Sequence, residues 1–199
     1  MLRDFNILAT TEQINEGGAT SELWVLLRAA GDEKPVVDRM GIWGLVSART
    51  SLDPVAAVAG IEEALRSGAK KASALLRVMP VQRVVPTEVD KIAAVALELA
   101  ATIPPDASFK VSVEKRRTTL GHMEVIDPIA EKLSQKVNLD SPDWVILVEI
   151  CGKVTGISVV KPSGILNVQR LNYQLASEAK KRAALNEDAG QGGGRVPPD

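Results

Sequence analysis

A run of four charged residues, Glu114 to Arg117, follows an alternating segment that begins at Ser108. Phe109, Val111 and Val113 occupy every second position of that segment, which predicts a β-strand with one apolar face. Arginine can bind phosphate through its planar fork, and lysine presents a point charge. The three consecutive cations therefore either blunt an exposed strand end or bind an anionic partner such as a phosphate backbone.

Further cations lie at predicted junctions between strands, helices and loops, where binding groups are commonly presented. Lys110 and Arg116 would share the strand face opposite Phe109, while Arg117 and Lys161 would lie at loop ends. Arg77 is a further cation at such a junction. The residues that we predict to bind phosphate groups are Arg83, Lys110, Lys115, Arg116, Arg117, Lys153 and Lys161.

The charges are distributed unevenly along a chain whose formal net charge is only −1. Residues 1–69 carry six lysines and arginines against ten acidic residues, whereas residues 70–117 carry nine against five. This basic middle favours an anionic partner, although a solvated surface of mixed charge is the alternative explanation.

Few residues suit catalysis or metal binding. His122, beside Glu124, could act as an acid or base, but no nucleophile accompanies the pair. Cys151 lies in a predicted tight turn beside Lys153, which could depress its pKa, or it is an incidental turn residue. One cysteine and one histidine are too few for a Cys/His zinc site, and the sequence contains no phosphate-binding glycine loop or nucleophile elbow. We therefore predict no catalytic residues, no metal and no cofactor.

The composition is that of a globular protein, with 45% apolar and 25% charged residues. Aromatic residues make up only 3%, so a sheet of stacked aromatics for RNA bases has little material. The sequence has neither a signal-peptide pattern nor a run of ~20 apolar residues that could span a bilayer. Together with the single cysteine, these features predict a cytoplasmic protein.

Two successive units position these residues. Residues 5–85 read as strand, helix, two strands, helix and strand, the ferredoxin-like order. The second helix is predicted to begin at Asp53-Pro54, and the first at Ser21. Pro80 marks an edge, a bulge or a break in the last strand.

The second unit begins with a helix after the capping pattern at residues 87–90. The strand at Ser108 follows, and then an amphipathic helix that reaches Val137, with Asp127 as its cap or Pro128 as a kink. Residues 144–148 are apolar on both faces and predict a central strand, which a turn connects to residues 154–160. A short basic helix is predicted over residues 171–185, and disorder over residues 186–199.

Four segments in this order resemble a THUMP domain. They are LLRVMPVQRVV (75–85), SFKVSVEKRR (108–117), VNLDSPD (137–143) and GISVV (156–160). With the preceding unit, the similarity covers about residues 1–170. It is strongest to the small THUMP-domain adaptors of the tRNA cytidine N4-acetyltransferase.

This resemblance implies an α+β protein with a ferredoxin-like domain at residues 1–84, a THUMP domain at residues 85–170 and a tail at residues 171–199. It also implies that the chain binds the acceptor stem and 3′ end of tRNA and presents the tRNA to a separate acetyltransferase, which forms N4-acetylcytidine. Two alternatives stay open. One is an RNA-binding module in another RNA modification or in ribosome assembly, and the other is a small enzyme that uses His122 and Glu124.

Overall fold

The computed structural model describes residues 4–191, and the side chains of residues 4–183, with two five-stranded sheets. The first part of the chain contains β1 (Ile7–Thr11), α1 (Glu16–Ala29), β2 (Val36–Arg39), β3 (Leu45–Arg49), α2 (Pro54–Arg66) and β4 (Leu75–Pro80). Its four strands pair antiparallel in the order β4-β1-β3-β2. The order of strands and helices agrees with the sequence prediction.

Both helices of this part pack on one face of the first sheet. Their apolar side chains and those of alternate strand positions form one core, which includes Ile7, Ala9, Leu23, Leu26, Ile61 and Val78. Asp53 caps α2 as predicted, because its carboxylate accepts hydrogen bonds from the N–H groups of Val55 and Ala56 at 3.0 and 2.9 Å. The predicted cap at Ser21 is wrong, since α1 begins at Glu16 and the Ser21 hydroxyl lies inside the helix, 3.2 Å from the Gly17 carbonyl oxygen.

The chain passes from the first sheet to the second between Val81 and Gln82, shortly after Pro80. The N–H of Val81 donates to the Asn6 carbonyl, 2.8 Å away in the first part, while the N–H of Gln82 donates to the Ile157 carbonyl at 3.0 Å. Of the three possibilities for Pro80, the structure therefore has a strand break. Pro80 has no N–H to donate, and the ladder with β1 continues only to Val81, after which the chain joins the other sheet.

The second part contains β5 (Arg83–Pro86), α3 (Val89–Ala100), β6 (Ser108–Arg116), α4 (His122–Ala130), β7 (Lys136–Val137), β8 (Trp144–Cys151) and β9 (Val154–Val160). The strand order is β5-β9-β8-β6-β7. β6 runs parallel to β7 and β8, and the other neighbours are antiparallel. α3 and α4 cover one face, with Ile92, Phe109, Ile129 and Ile146 in the core beneath them.

The predicted helix up to Val137 is wrong at both ends. α4 begins at His122, not after Asp127, and the Glu124 carboxylate accepts a hydrogen bond from the N–H of Gly121 at its start. Pro128 lies inside the helix, which ends two residues after it. Because proline cannot donate to the Glu124 carbonyl one turn earlier and its ring crowds that carbonyl, it destabilises this short helix. Val137 pairs with Phe109 in the sheet instead.

The uncovered faces of the two sheets pack against each other. Leu8, Leu45 and Met79 of the first sheet join Val145 and Leu147 of β8 in a third buried core. The alternate residues of β8 point into the core beneath α3 and α4. β8 is therefore buried on both faces, which confirms the prediction of a central strand from its continuous apolar sequence.

The chain returns to the first sheet after β9. A single 3₁₀ turn (Pro162–Gly164) leads to β10 (Leu166–Asn167), which pairs antiparallel with β4, and then to α5 (Val168–Gln191). α5 is longer than the helix predicted over residues 171–185 and includes the first residues of the predicted disordered tail. Residues 192–199 of that tail lie outside the described residues. None of the described helices combines the length and apolar character needed to cross a membrane.

Candidate nucleic-acid interface

β6 distributes the predicted cations over its two faces. Phe109 and Val113 point into the core beneath α3 and α4, and Lys115 shares their face by the alternation of strand side chains. Lys110 and Arg116 lie on the opposite face, which is turned toward the first sheet. The cations of this one strand therefore have different surroundings and different roles.

Lys110 lines a cleft between the two sheets, which we call the inter-sheet cleft. It has a volume of about 480 Å³ and contains one further cation, Arg77 of β4. The ammonium group of Lys110 is 3.5 Å from the Leu139 carbonyl oxygen. The other polar groups of the lining come from Ser112, Asp140, Ser141 and Asn167. The two cations and the hydroxyl and amide donors are suited to a phosphate, whereas the Asp140 carboxylate works in the opposite direction.

Lys161 is exposed at the same end of the second sheet, next to Pro162 of the cleft lining. Its ammonium group lies 6.0 Å from the centre of the Trp144 ring, within the range of a cation–π contact. Hydrogen bonds from the hydroxyl and N–H of Ser108 lower the pKa of Asp143, and the charge of Lys161 adds to this effect. The ionised Asp143 thus ties the starts of β6 and β8 together.

Arg117 and Lys153 lie together at the opposite end of the second sheet. Arg117 follows β6 with a φ of 55°, and Lys153 follows Gly152 in the β8–β9 turn, where Gly152 has a φ of 71°. Both cations are exposed and line a cleft of about 690 Å³ with Met40 and Ile42 of the first part, which we call the turn cleft. Within the part of the chain that the structure describes, neither cation forms an ion pair.

Four of the seven predicted cations, Lys110 with Lys161 and Arg117 with Lys153, therefore form two groups and not one continuous patch. The inter-sheet cleft opens near the starts of β6 and β8, and the turn cleft lies at their ends. β8 has eight residues, so at the usual rise per strand residue the two groups are roughly 25 Å apart.

Arg116 is engaged inside the protein. Its guanidinium donates to the Oε2 atom of Glu149 at 3.0 Å, and the Glu149 side chain is only 2% exposed. Burial raises the pKa of Glu149, while the positive charge of Arg116 works in the opposite direction. Arg116 is thus the counter-ion of a buried carboxylate.

Two more predicted cations are also separated from the clefts. The ammonium group of Lys115 donates to the Leu120 carbonyl at 2.6 Å and fixes the segment between β6 and α4. Arg83 is exposed on β5, with its guanidinium 4.0 Å from the Glu98 carboxylate of α3. Arg83 therefore faces the helical side of the second sheet.

The residues considered for catalysis do not form a site. The Glu124 carboxylate is occupied at the start of α4, and His122 is exposed beside it. Cys151 is buried at the end of β8, and burial raises its pKa to about 12, so the thiol is not activated. No group of histidine, cysteine, aspartate and glutamate among the described residues is arranged to hold a metal ion.

One surface was missed by the sequence analysis. Trp43, in the turn between β2 and β3, is 65% exposed, and Ile14 and Arg39 lie beside it. The only sequence signal was an aromatic residue between two turn glycines, Gly41 and Gly44. That pattern does not reveal what neighbours the ring acquires.

Comparison with protein families identifies residues 86–160 as a THUMP domain. This confirms the THUMP domain that the segments at residues 108–117, 137–143 and 156–160 resemble, and it places β6, β8 and β9 with their cations within the domain. No curated protein matches the sequence of the chain.

Solved structures share the fold. PH1313 from Pyrococcus horikoshii OT3 has a TM-score of 0.59 and 14% identity, over 82% of this chain and 55% of that one. A 4-thiouridine synthetase, solved with RNA and bound ATP, has a TM-score of 0.52 and 15% identity, over 82% of this chain and 42% of that chain. TrmN from Thermus thermophilus has a TM-score of 0.50 and 16% identity, over 78% of this chain and 45% of that chain. The chain thus spans about half the length of these proteins.

Proposed function

We propose that this chain is a tRNA-binding adaptor, which holds the acceptor stem and 3′ end of a tRNA for a separate modifying enzyme. The observation that carries the proposal is the pair Arg117 and Lys153. Two exposed cations, unpaired among the described residues, come together at one end of a THUMP-domain sheet. Nucleic-acid affinity depends largely on such contacts to phosphates.

The second group of cations supports the same proposal. Arg77, Lys110 and Lys161 lie roughly 25 Å from Arg117 and Lys153, at the other end of the sheet. RNA helices are recognised mostly through their shape, phosphates and 2′-hydroxyl groups. Two separated phosphate-binding groups would fix the orientation of such a helix, whereas one group would leave it free to rotate.

We also infer that residues 1–84 are a ferredoxin-like domain. Four antiparallel strands in the order β4-β1-β3-β2, with α1 and α2 on one face, support this assignment. The proposed boundary with the THUMP domain is close to the point where the chain changes sheets, between Val81 and Gln82.

The proposed partner is a tRNA cytidine N4-acetyltransferase. The motifs at residues 108–117, 137–143 and 156–160 resemble those of its small adaptors. The engagement of Glu124 at the start of α4 and the raised pKa of buried Cys151 favour a non-catalytic role for this chain. One solved structure with this fold is that of a 4-thiouridine synthetase with RNA bound, which favours a role in RNA modification.

Replacing Arg117 and Lys153 together with alanine should weaken tRNA binding and reduce its dependence on salt. Each phosphate contact contributes roughly 0.7–0.9 to the slope of log affinity against log salt, so the slope should flatten by about 1.4–1.8. The loss should be nearly uniform among different tRNAs, because phosphate contacts carry no sequence information. Filter binding or electrophoretic shifts over a salt series would measure both quantities.

Arg83→Ala is the matched control, since Arg83 is an exposed cation of the same sheet on its helical side. It should leave the slope almost unchanged. If the folded Arg117→Ala/Lys153→Ala protein binds tRNA with the affinity and slope of the wild type, these residues are not part of the interface.

The isolated chain should not acetylate tRNA. Purified protein with tRNA, acetyl-CoA and ATP is expected to yield N4-acetylcytidine only after the partner acetyltransferase is added, as nucleoside analysis would detect. Product formed without the partner would contradict the adaptor role. Turnover that His122→Ala abolishes would favour the small enzyme, and equal affinity for rRNA fragments and tRNA would favour a general RNA-binding module.

A further inference from the structure

The β2–β3 turn presents a surface that the proposed phosphate contacts do not use. Trp43 at its tip is 65% exposed, and Ile14 in the β1–α1 loop is 86% exposed. Together with Ile42 and Arg39 they line a shallow depression of about 530 Å³, which we call the Trp43 surface. Large apolar side chains exposed side by side commonly mark a binding site.

This surface is held rigidly. Gly41 and Gly44 have φ values of 66° and 71°, and the N–H of Gly44 donates to the Glu16 carboxylate at 2.7 Å. A Cβ atom at Gly44 would lie only 2.9 Å from the Thr11 carbonyl oxygen, so the turn packs directly on the end of β1. Ile14 has a φ of 75°, which is strained for a β-branched residue, and such strain is concentrated at functional sites.

The ring of Trp43 is open, unlike the rings of the other two tryptophans. The Arg28 guanidinium covers Trp24 at 5.7 Å, and Lys161 lies over Trp144 at 6.0 Å. Trp43 has no such cation contact or aromatic contact within residues 4–183. Its ring is therefore available to a flat partner.

The charges around this ring favour a nucleic acid. Ile42 lines both the Trp43 surface and the turn cleft, so the ring adjoins the cleft that contains Arg117 and Lys153. The charged residues lining the two depressions are three cations, Arg39, Arg117 and Lys153, and one anion, Glu16. The Glu16 carboxylate is already hydrogen-bonded to Gly44. An anionic ligand with a flat apolar group fits this arrangement.

We propose that Trp43 stacks on an unpaired base of the bound RNA, whose backbone phosphates contact Arg117 and Lys153. This inference rests on the proposed function and adds the part of the RNA that the β2–β3 turn contacts. A paired base inside a helix is stacked on its neighbours, whereas an unpaired base exposes a whole face to an aromatic ring. The scarcity of aromatic residues argued against a sheet of stacked bases, but one ring is sufficient for one base.

The test compares two RNA ligands, a blunt hairpin duplex and the same duplex with a short single-stranded 3′ end. Trp43→Ala should lower affinity for the RNA with the unpaired end about 5- to 150-fold, the range of base–aromatic stacking, and leave the blunt duplex unaffected. Trp43→Phe should retain most of the affinity. In addition, the unpaired end should quench tryptophan emission of the wild type, and this quenching should disappear in Trp43→Phe.

Trp24→Ala is the matched control, because Trp24 is also exposed, at 46%, but its ring is covered. It should bind both RNAs as the wild type does, and thermal melts should verify that all variants are folded. An equal loss for both RNAs in Trp43→Ala, or no loss for either, would overturn the inference. If Trp43→Ala no longer binds the partner enzyme but binds RNA with unchanged affinity, the inference is also overturned, in favour of a protein-docking surface. A wild type that binds neither RNA would instead refute the proposed function.

Discussion

Replacing Arg116 with alanine is expected to lower the free energy of unfolding by roughly 3 kcal/mol at neutral pH. The change would leave the Glu149 carboxylate, 2% exposed, without its counter-ion. Its Oε1 atom already has no hydrogen-bond partner, so Oε2 would lose the ion pair that compensates for burial. The value is at the lower end for a broken buried pair because the Arg116 side chain is 25% exposed. Urea denaturation would measure it.

The loss of stability in Arg116→Ala should depend on pH in a defined direction. Burial raises the pKa of Glu149. Between the ordinary carboxyl pKa and this raised pKa, the folded protein therefore keeps the carboxyl proton that the unfolded chain has released. The stability contribution of Glu149 therefore falls as pH rises from the ordinary carboxyl range through the folded-state pKa. Without Arg116 that pKa rises further. The deficit of Arg116→Ala should thus be smallest at about pH 4 and grow toward about pH 7.

Arg117→Ala provides the control, since it removes a neighbouring exposed cation and should change stability by no more than ~0.5 kcal/mol. Replacing both partners, as Arg116→Met with Glu149→Leu, should recover most of the lost stability, because no buried charge is left unpaired. If Arg116→Ala is as stable as Arg117→Ala at neutral pH, the Arg116–Glu149 pair does not stabilise the fold.

A chain that ends at Ile165 should lose the ordered first sheet. It would lack Leu166, Val168 and Leu171, which are 4%, 0% and 3% exposed and belong to the core under α1 and α2. Burying each such side chain contributes about 1.5–3 kcal/mol, so the loss is roughly 5–9 kcal/mol. That is comparable to the whole stability of an ordinary domain, about 5–15 kcal/mol. β4 would also become an edge strand.

Hydrogen exchange of peptides from β1 and β4, together with a thermal melt, would measure this effect. A chain that ends at Gln191 is the control, because it retains every element described here. Unchanged protection of β4 in the chain that ends at Ile165 would mean that β10 and α5 are dispensable for the first sheet.

Local patterns predicted most of the strands and the order of elements. Alternation at Phe109, Val111 and Val113 was sufficient for β6, since the period of two is a direct property of a strand. The same kind of reasoning failed at α4, where apolar residues continue at helical spacing to Val137. What decides that segment is pairing of Val137 with β6, which the local sequence does not contain.

In the candidate site, too, the local sequence predicted some features, whereas others depend on contacts between distant residues. The residue types of the cations were visible in the sequence, but their grouping depends on which strand ends meet after the sheet has formed. Glu149 lies 33 positions after Arg116, and no short-range pattern connects them. Ile42, the neighbour of Trp43, lines the turn cleft only because the faces of the two sheets pack together.

The return of the chain through β10 has a consequence for synthesis on the ribosome. β1 to β4 leave the ribosome before the second sheet, but their own sheet is complete only after Leu166 has paired with Val78 and Leu171 has entered the core. The second sheet needs nothing beyond Val160. Domains usually fold in the order of their synthesis. Here β1 to β4, although synthesised before the second sheet, cannot bury all of their apolar side chains until β10 and α5 have been synthesised after it.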